Sequence, residues 1–130
     1  MSSNNRPLSP HLQVYNPQIT SVLSIVHRIT GVILALGSLL TLWVLISLSM
    51  GPDTFAVTQV CLQSIFGQLA IFAFSLCLMY HLFNGIRHLF WDAGKGYNIQ
   101  TVTKSGISVL VLTILSTASL WLLALSKGGL

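Results

Sequence analysis

Residues able to do chemistry concentrate in His81-Leu-Phe-Asn-Gly-Ile-Arg-His-Leu-Phe-Trp-Asp92. His81, Gly85, His88 and Asp92 recur at steps of four, three and four, which puts them on one face of an α-helix. His81 lies six residues before Arg87, about 9 Å along a helix, among Leu78, Met79, Leu82 and Phe83. A neutral imidazole in that setting can bind iron, and the apolar wall suits a haem macrocycle. Gly85, one turn on, would let a flat ring approach. The plainer alternative is a histidine hydrogen-bonded between helices. Polar groups inside a bilayer are costly, so the face is first read as functional.

A haem on His81 would lack a second ligand in this chain. His88 is two turns along the same helix, roughly 10 Å away. His27 falls at the start of its helix, too near the surface, and His11 lies in the N-terminal segment. The spacing therefore predicts a haem shared with another subunit.

A second constellation is Ser24-Ile-Val-His-Arg-Ile-Thr30. Ser24 and Arg28 are one turn apart, with His27 on the same side. A hydroxyl beside a guanidinium can donate to a carbonyl oxygen that gains negative charge on reduction, as a quinone oxygen does. His27 or Arg28 could instead meet haem propionates. The plainer alternative is an arginine that sets topology or snorkels to the interface. Arg87 and His88 have the same alternative, and Asp92 could pair with Arg87 or Lys95, or pass protons inward from water.

The elements that position these residues are membrane helices. The chain has 130 residues, 53% hydrophobic and only 6% charged. Soluble domains carry about 25% charged residues, so the fold class is all-α, an integral membrane protein with three spans in a multi-subunit bundle. The formal charge of +4 rests on few residues and gives no support to nucleic-acid binding. Segment 1–20 is polar, carries Pro7, Pro10 and Pro17, and reads as an extended cytoplasmic segment without a signal peptide. Thr20 or Ser21 could cap the helix that follows. The membrane domain is 21–130. Its uncharged spans are about 29–50, 65–86 and 106–125, each near the 20 residues needed to cross hydrocarbon.

Gly51-Pro52-Asp53 ends the first span and Gly94-Lys95-Gly96 the second. The stretch before residue 65, with Thr58, Gln59, Gln63 and Ser64, reads as interfacial, and 97–104 as a polar link. The third span carries a face of Ser108, Thr113, Ser116, Thr117 and Ser119, while Trp43, Trp91 and Trp121 read as interface or lipid anchors. Cys61 and Cys77, 16 residues apart, would sit roughly 24 Å apart on one helix, too far for a disulfide. Arg6, Arg28, Arg87, Lys95 and Lys104 fall on one side and only Lys127 on the other. The positive-inside rule then puts the N-terminus in the cytoplasm and the C-terminus in the periplasm.

Taken together, Arg6-Pro7-Leu8, Ser24-x-x-His27-Arg28-x-Thr30 and His81-x-x-x-Gly85-Ile86-Arg87-His88-Leu89-x-Trp91-Asp92-x-Gly94 resemble the cytochrome b anchor subunit of succinate dehydrogenase, the larger of the two anchors of respiratory complex II. The resemblance spans nearly the whole chain. It implies that His81 is an axial ligand of haem b, the other histidine coming from the smaller anchor subunit. It implies that His27, Arg28 and His88 lie near the propionates, and that Ser24, Ile25, Arg28 and Asp92 belong to a ubiquinone site. The implied partners are the smaller anchor, the iron–sulfur subunit, the flavoprotein and membrane lipid. The implied location is a bacterial inner membrane or, alternatively, the mitochondrial inner membrane. The chain would not be catalytic alone. Competing readings are a haem-free quinone-reactive anchor of a fumarate reductase, a proton or cation transporter subunit using His81, Asn84, His88 and Asp92, and a purely structural assembly subunit.

Overall fold

The computed structural model describes residues 17–128, so segment 1–16, with Arg6 and His11, lies outside the described residues. Four helices follow one another: α1 Ile19–Ser49, α2 Pro52–Gln63, α3 Ile65–Asp92 and α4 Ile99–Ser126. Three of them, α1, α3 and α4, are long and apolar enough to cross a membrane. The described fold is all-α, as expected from the long uncharged runs.

Helix ends follow local chemistry. The first helix starts two residues after Pro17, on an extended Gln18, with no side-chain cap. Thr20 and Ser21 lie inside its first turn, so neither is the cap residue expected. Gly51, at φ 109°, takes a conformation that other residues rarely adopt. Pro52 then occupies the first turn of α2, where a missing N–H costs nothing. The stretch expected to be interfacial is thus a 12-residue helix. Ser64 caps α3 by accepting from the Gly67 N–H at 3.1 Å. Asn98 caps α4 through the Gln100 N–H at 3.1 Å, so most of the expected 97–104 link is helical.

Close packing gathers at one end. The buried apolar core is Leu23 from α1, Tyr80 from α3 and Val109 from α4. Three α3 residues at successive turns tie the helices together there. The Tyr80 hydroxyl donates to the Leu23 carbonyl at 2.7 Å. Asn84, fully buried, donates to the same carbonyl at 3.5 Å. Arg87, 5% exposed, donates to Ser105 Oγ at 3.0 Å, the Val102 carbonyl at 3.1 Å and Asn84 Oδ1 at 3.4 Å. Its guanidinium also lies 4.1 Å from the centre of the Trp91 ring. Hydrogen bonds of this kind can hold helices together where surrounding lipid is as apolar as the side chains.

Arg87 is therefore more than a topogenic charge, and it turns towards α4 instead of Asp92. Two tryptophans also differ from expectation. Trp91 packs on Arg87 and His88, and Trp121 donates from Nε1 to Ser75 Oγ at 3.0 Å. Both serve contacts within the chain. The five hydroxyl residues of the third span do not share one environment. Thr113 and Thr117 are buried in a stripe with Gly106 and Val109, while Ser108 and Ser119 are exposed and bond back to their own helix. Cys61 and Cys77 are free, on α2 and α3 rather than on one helix.

Small residues allow the close approaches. A Cβ on Gly106 would come 2.8 Å from Leu23 Cδ1, and one on Gly37 would run into the Phe74 ring. Away from the packed end the helices expose long apolar surfaces, including Leu36, Leu39, Leu40 and Leu122. Such surfaces suit lipid tails or further helices.

Candidate functional site

Beside the Tyr80–Asn84–Arg87 stripe, offset by one residue, runs a second stripe of α3: His81, Gly85 and His88. It faces α1. His27 reaches across to it, and its ring stacks on His81 with centres 3.9 Å apart and planes 9° from parallel. The His27 and His88 rings are 5.1 Å apart at 45°. His88 in turn meets Trp91 edge-on at 5.2 Å. Three imidazoles thus form a row, His81–His27–His88, along the seam between α1 and α3.

This corrects one expectation. His27 is not shallower than the reach of His81, because the crossing of α1 and α3 lays the two rings together. Yet the stacked geometry leaves no place for a metal ion between them. Face-to-face rings point their nitrogen lone pairs edgewise, not at each other. Among the described residues no three of His, Cys, Asp and Glu are grouped to hold a metal ion. His27 Nδ1 is buried and makes no hydrogen bond in the described structure.

His81 is held on one edge. Its Nδ1 lies 3.2 Å from the His27 carbonyl and 3.2 Å from Thr30 Oγ1. Thr30 is buried, and its hydroxyl also lies 2.9 Å from the carbonyls of Val26 and His27. The backbone of Gly31 packs against the same ring, since an added Cβ would stand 3.1 Å from His81 Cε1. Gly85 meets the His27 ring more loosely, at 3.7 Å from an added Cβ. No described hydrogen bond engages His81 Nε2. The ring is half-buried, and Leu78 and Leu82 on its helix are exposed.

Ser24, Ile25 and Arg28 occupy the first three turns of α1, before the histidine seam is complete. Ile25 and Arg28 are exposed and Ser24 is half-buried. None of the three side chains joins the hydrogen bonds that tie α1 to α3 and α4. Asp92, the last residue of α3, is exposed. The structure thus brings His27, His81 and His88 together, and leaves Ile25, Arg28 and Asp92 exposed and Ser24 half-buried outside that cluster.

Sequence reasoning named Thr30 in a motif and Asn84 in the transporter reading, but gave neither them nor Gly31 and Tyr80 a role in shaping this region. Thr30 closes the quoted motif and Gly31 follows it directly, but their role depends on which α1 turn meets His81. A separate groove of about 330 Å³ lies between α3 and α4, walled by Phe83, Ile86, Phe90 and Leu112 with Lys95 at its rim.

Comparison with known proteins agrees with this architecture. Residues 2–120 match the family described as succinate dehydrogenase/fumarate reductase transmembrane subunit. The succinate dehydrogenase cytochrome b556 subunit of Rickettsia typhi is 45% identical over 118 residues, covering 91% of this chain and 92% of that protein. The mitochondrial succinate dehydrogenase cytochrome b560 subunit of Bos taurus is 44% identical over 121 residues, covering 89% of this chain and 70% of that protein. The corresponding Homo sapiens subunit is 43% identical over 122 residues, at 90% and 70% coverage.

Proposed function

The chain belongs to the succinate dehydrogenase/fumarate reductase transmembrane subunit family, and on that premise we propose that it anchors a succinate:ubiquinone oxidoreductase, binds haem b through His81 and forms part of the ubiquinone site. The observation that carries the reading is the junction of α1 and α3. It gathers His27, His81 and His88 in one seam, with His81 Nε2 uncommitted and Ser24 and Arg28 on the adjoining turns.

The residues fit haem b as one half of its ligand set. His81 offers a single imidazole beside exposed leucines, which suits the edge of a macrocycle. The His27 ring, stacked parallel on His81, could not offer its nitrogen to an iron held by His81, so a second histidine would come from the smaller anchor subunit. His27, Arg28 and His88 are the cationic or hydrogen-bonding groups available to the propionates. When bound, haem supplies a one-electron carrier inside the bilayer.

Ubiquinone reduction takes up two electrons and two protons, and negative charge builds on a quinone oxygen before protonation. The Arg28 guanidinium and Ser24 hydroxyl donate to that oxygen, Ile25 lines the ring, and Asp92 passes protons from the water side. A guanidinium is suited to this task because it stays charged and presents its donors in a rigid fork. Succinate itself is oxidised in the flavoprotein, and electrons reach this chain's neighbourhood through the iron–sulfur subunit. The chain sits in a bacterial inner membrane with segment 1–20 on the cytoplasmic side and residues 21–130 as the membrane domain. The C-terminus is periplasmic.

A reduced-minus-oxidised spectrum of the purified complex tests the ligand assignment. His81→Ala is expected to abolish the b-type band in a complex that still assembles. An unchanged band in that variant would remove His81 from the ligand set.

A further inference from the structure

The seam between α1 and α3 contains a positioning device for His81. Its Nδ1 lies 3.2 Å from the His27 carbonyl oxygen. A carbonyl can only accept, whereas a neutral imidazole nitrogen either donates or accepts. Were Nδ1 unprotonated, two lone pairs would face each other at that distance, in a setting with little water to screen them. With the proton on Nδ1, it donates to the His27 carbonyl or to Thr30 Oγ1, 3.2 Å away. Thr30 completes the set. Its single O–H has the Val26 and His27 carbonyls within 2.9 Å, so its lone pairs are free to accept from Nδ1. The Nδ1–H tautomer satisfies His81 Nδ1, the Thr30 hydroxyl and the His27 carbonyl together. The other tautomer spends the Thr30 proton on Nδ1 and leaves that nitrogen against the His27 carbonyl.

The ring is placed as well as protonated. Gly31 lets the α1 backbone approach so closely that an added Cβ would stand 3.1 Å from His81 Cε1. The stacked His27 ring closes one face. The ring therefore has one edge fixed by α1, and its Nε2 edge left as the site of a lone pair.

The geometry points to Thr30 as a positioning residue for His81: with the His27 carbonyl and the Gly31 backbone it fixes the tautomer and the ring plane that make Nε2 the ligating nitrogen. This rests on the reading of His81 as a haem ligand. Hydrogen bonding of the distal ring N–H to an oxygen fixes the orientation of a metal-binding histidine and raises its basicity. A more basic ligand favours the oxidised metal, so weakening this contact raises the midpoint potential.

The test uses the whole complex with Thr30→Val, which keeps the shape and removes the hydroxyl. Haem content is measured from the difference spectrum, the midpoint potential by redox titration, and the low-spin ferric signal by electron paramagnetic resonance. The expected result is retained haem, a potential shifted upward and altered g-values, with Thr30→Ser restoring both. Wild-type potential and g-values in Thr30→Val would overturn the inference. If Thr30→Val does not assemble, Thr30→Ala, which removes the methyl group together with the hydroxyl, is read in the same way. His81→Ala in parallel separates the two ideas. Retained haem in His81→Ala overturns the ligand reading itself. Lost haem there, with Thr30→Val indistinguishable from wild type, overturns only the positioning role.

Discussion

The imidazole of His27 lies flat on that of His81, 3.9 Å between centres, while the backbone carbonyl of the same His27 stands 3.2 Å from His81 Nδ1. One residue thus touches His81 twice, once through its side chain and once through its main chain. The two contacts can be separated by mutation, because alanine keeps the carbonyl and removes the ring.

His27→Ala is accordingly expected to keep the b-type band, with the haem-to-flavin ratio of the purified complex close to wild type. Weaker retention on dilution or detergent washing is expected if the imidazole also meets a propionate. A band lost as fully as in His81→Ala would mean that the stacked ring, and not the carbonyl, holds His81 in place.

Arg87 is expected to be the most sensitive residue for assembly. Its guanidinium has Ser105, Val102 and Asn84 as acceptors and lies over Trp91. Hydrogen bonds to a charged group contribute about 1.5–3 kcal/mol each, and buried groups left without partners add their own penalty. Arg87→Leu should therefore cost about 3 kcal/mol or more, seen as a lower yield of complex and faster thermal inactivation. Arg87→Lys should recover little, because an ammonium lacks the planar fork that serves α3 and α4 together. Wild-type yield and inactivation rate for Arg87→Leu would contradict this.

These two residues mark what was legible in the chain and what was not. Helix ends are legible because Pro52, Gly94 and Gly96 have backbone preferences that act locally, and the uncharged runs measure themselves against bilayer thickness. The face of His81, Gly85 and His88 is legible because it depends only on residues per turn. The role of Arg87 is not, since a charge count records which side of the membrane a cation occupies and not the direction in which it turns. The His27–His81 stack depends on the crossing of two helices whose contacting residues lie 54 positions apart. Periodicity within a helix carries no information about the rotation of its neighbour. Trp121 misleads for the same reason, because its indole reaches Ser75 on another helix.

Gly37 tests how closely α1 and α3 must approach away from the site. A Cβ there would overlap the Phe74 ring, a bulky group that is half-buried and cannot simply swing into water. Overpacking of this kind typically costs about 1–3 kcal/mol. Gly37→Ala should lower the midpoint of thermal inactivation while leaving the haem potential unchanged, as Phe74 has no place in the histidine seam. Gly37→Ala with Phe74→Leu should recover part of the loss. No recovery in the pair would show that the clash is relieved elsewhere.

Arg28 separates anchoring from quinone chemistry. It is exposed on α1, outside the Tyr80–Asn84–Arg87 ties that hold the helices together. Replacing it should leave the bundle intact, because surface substitutions away from packing features usually change stability by no more than about 0.5 kcal/mol. Its proposed task is to donate to a quinone oxygen as negative charge develops. Removing one such donor typically slows a reaction by about a hundredfold or more. Arg28→Leu should then lower ubiquinone reduction by roughly that factor, while the soluble subunits still pass electrons to an artificial acceptor at the wild-type rate. Ser24→Ala should show a smaller effect of the same kind, since a neutral hydroxyl offers a weaker bond than a guanidinium. If Arg28→Leu keeps both activities, the arginine serves membrane topology alone. If it loses both, its role is in holding the soluble subunits to the membrane.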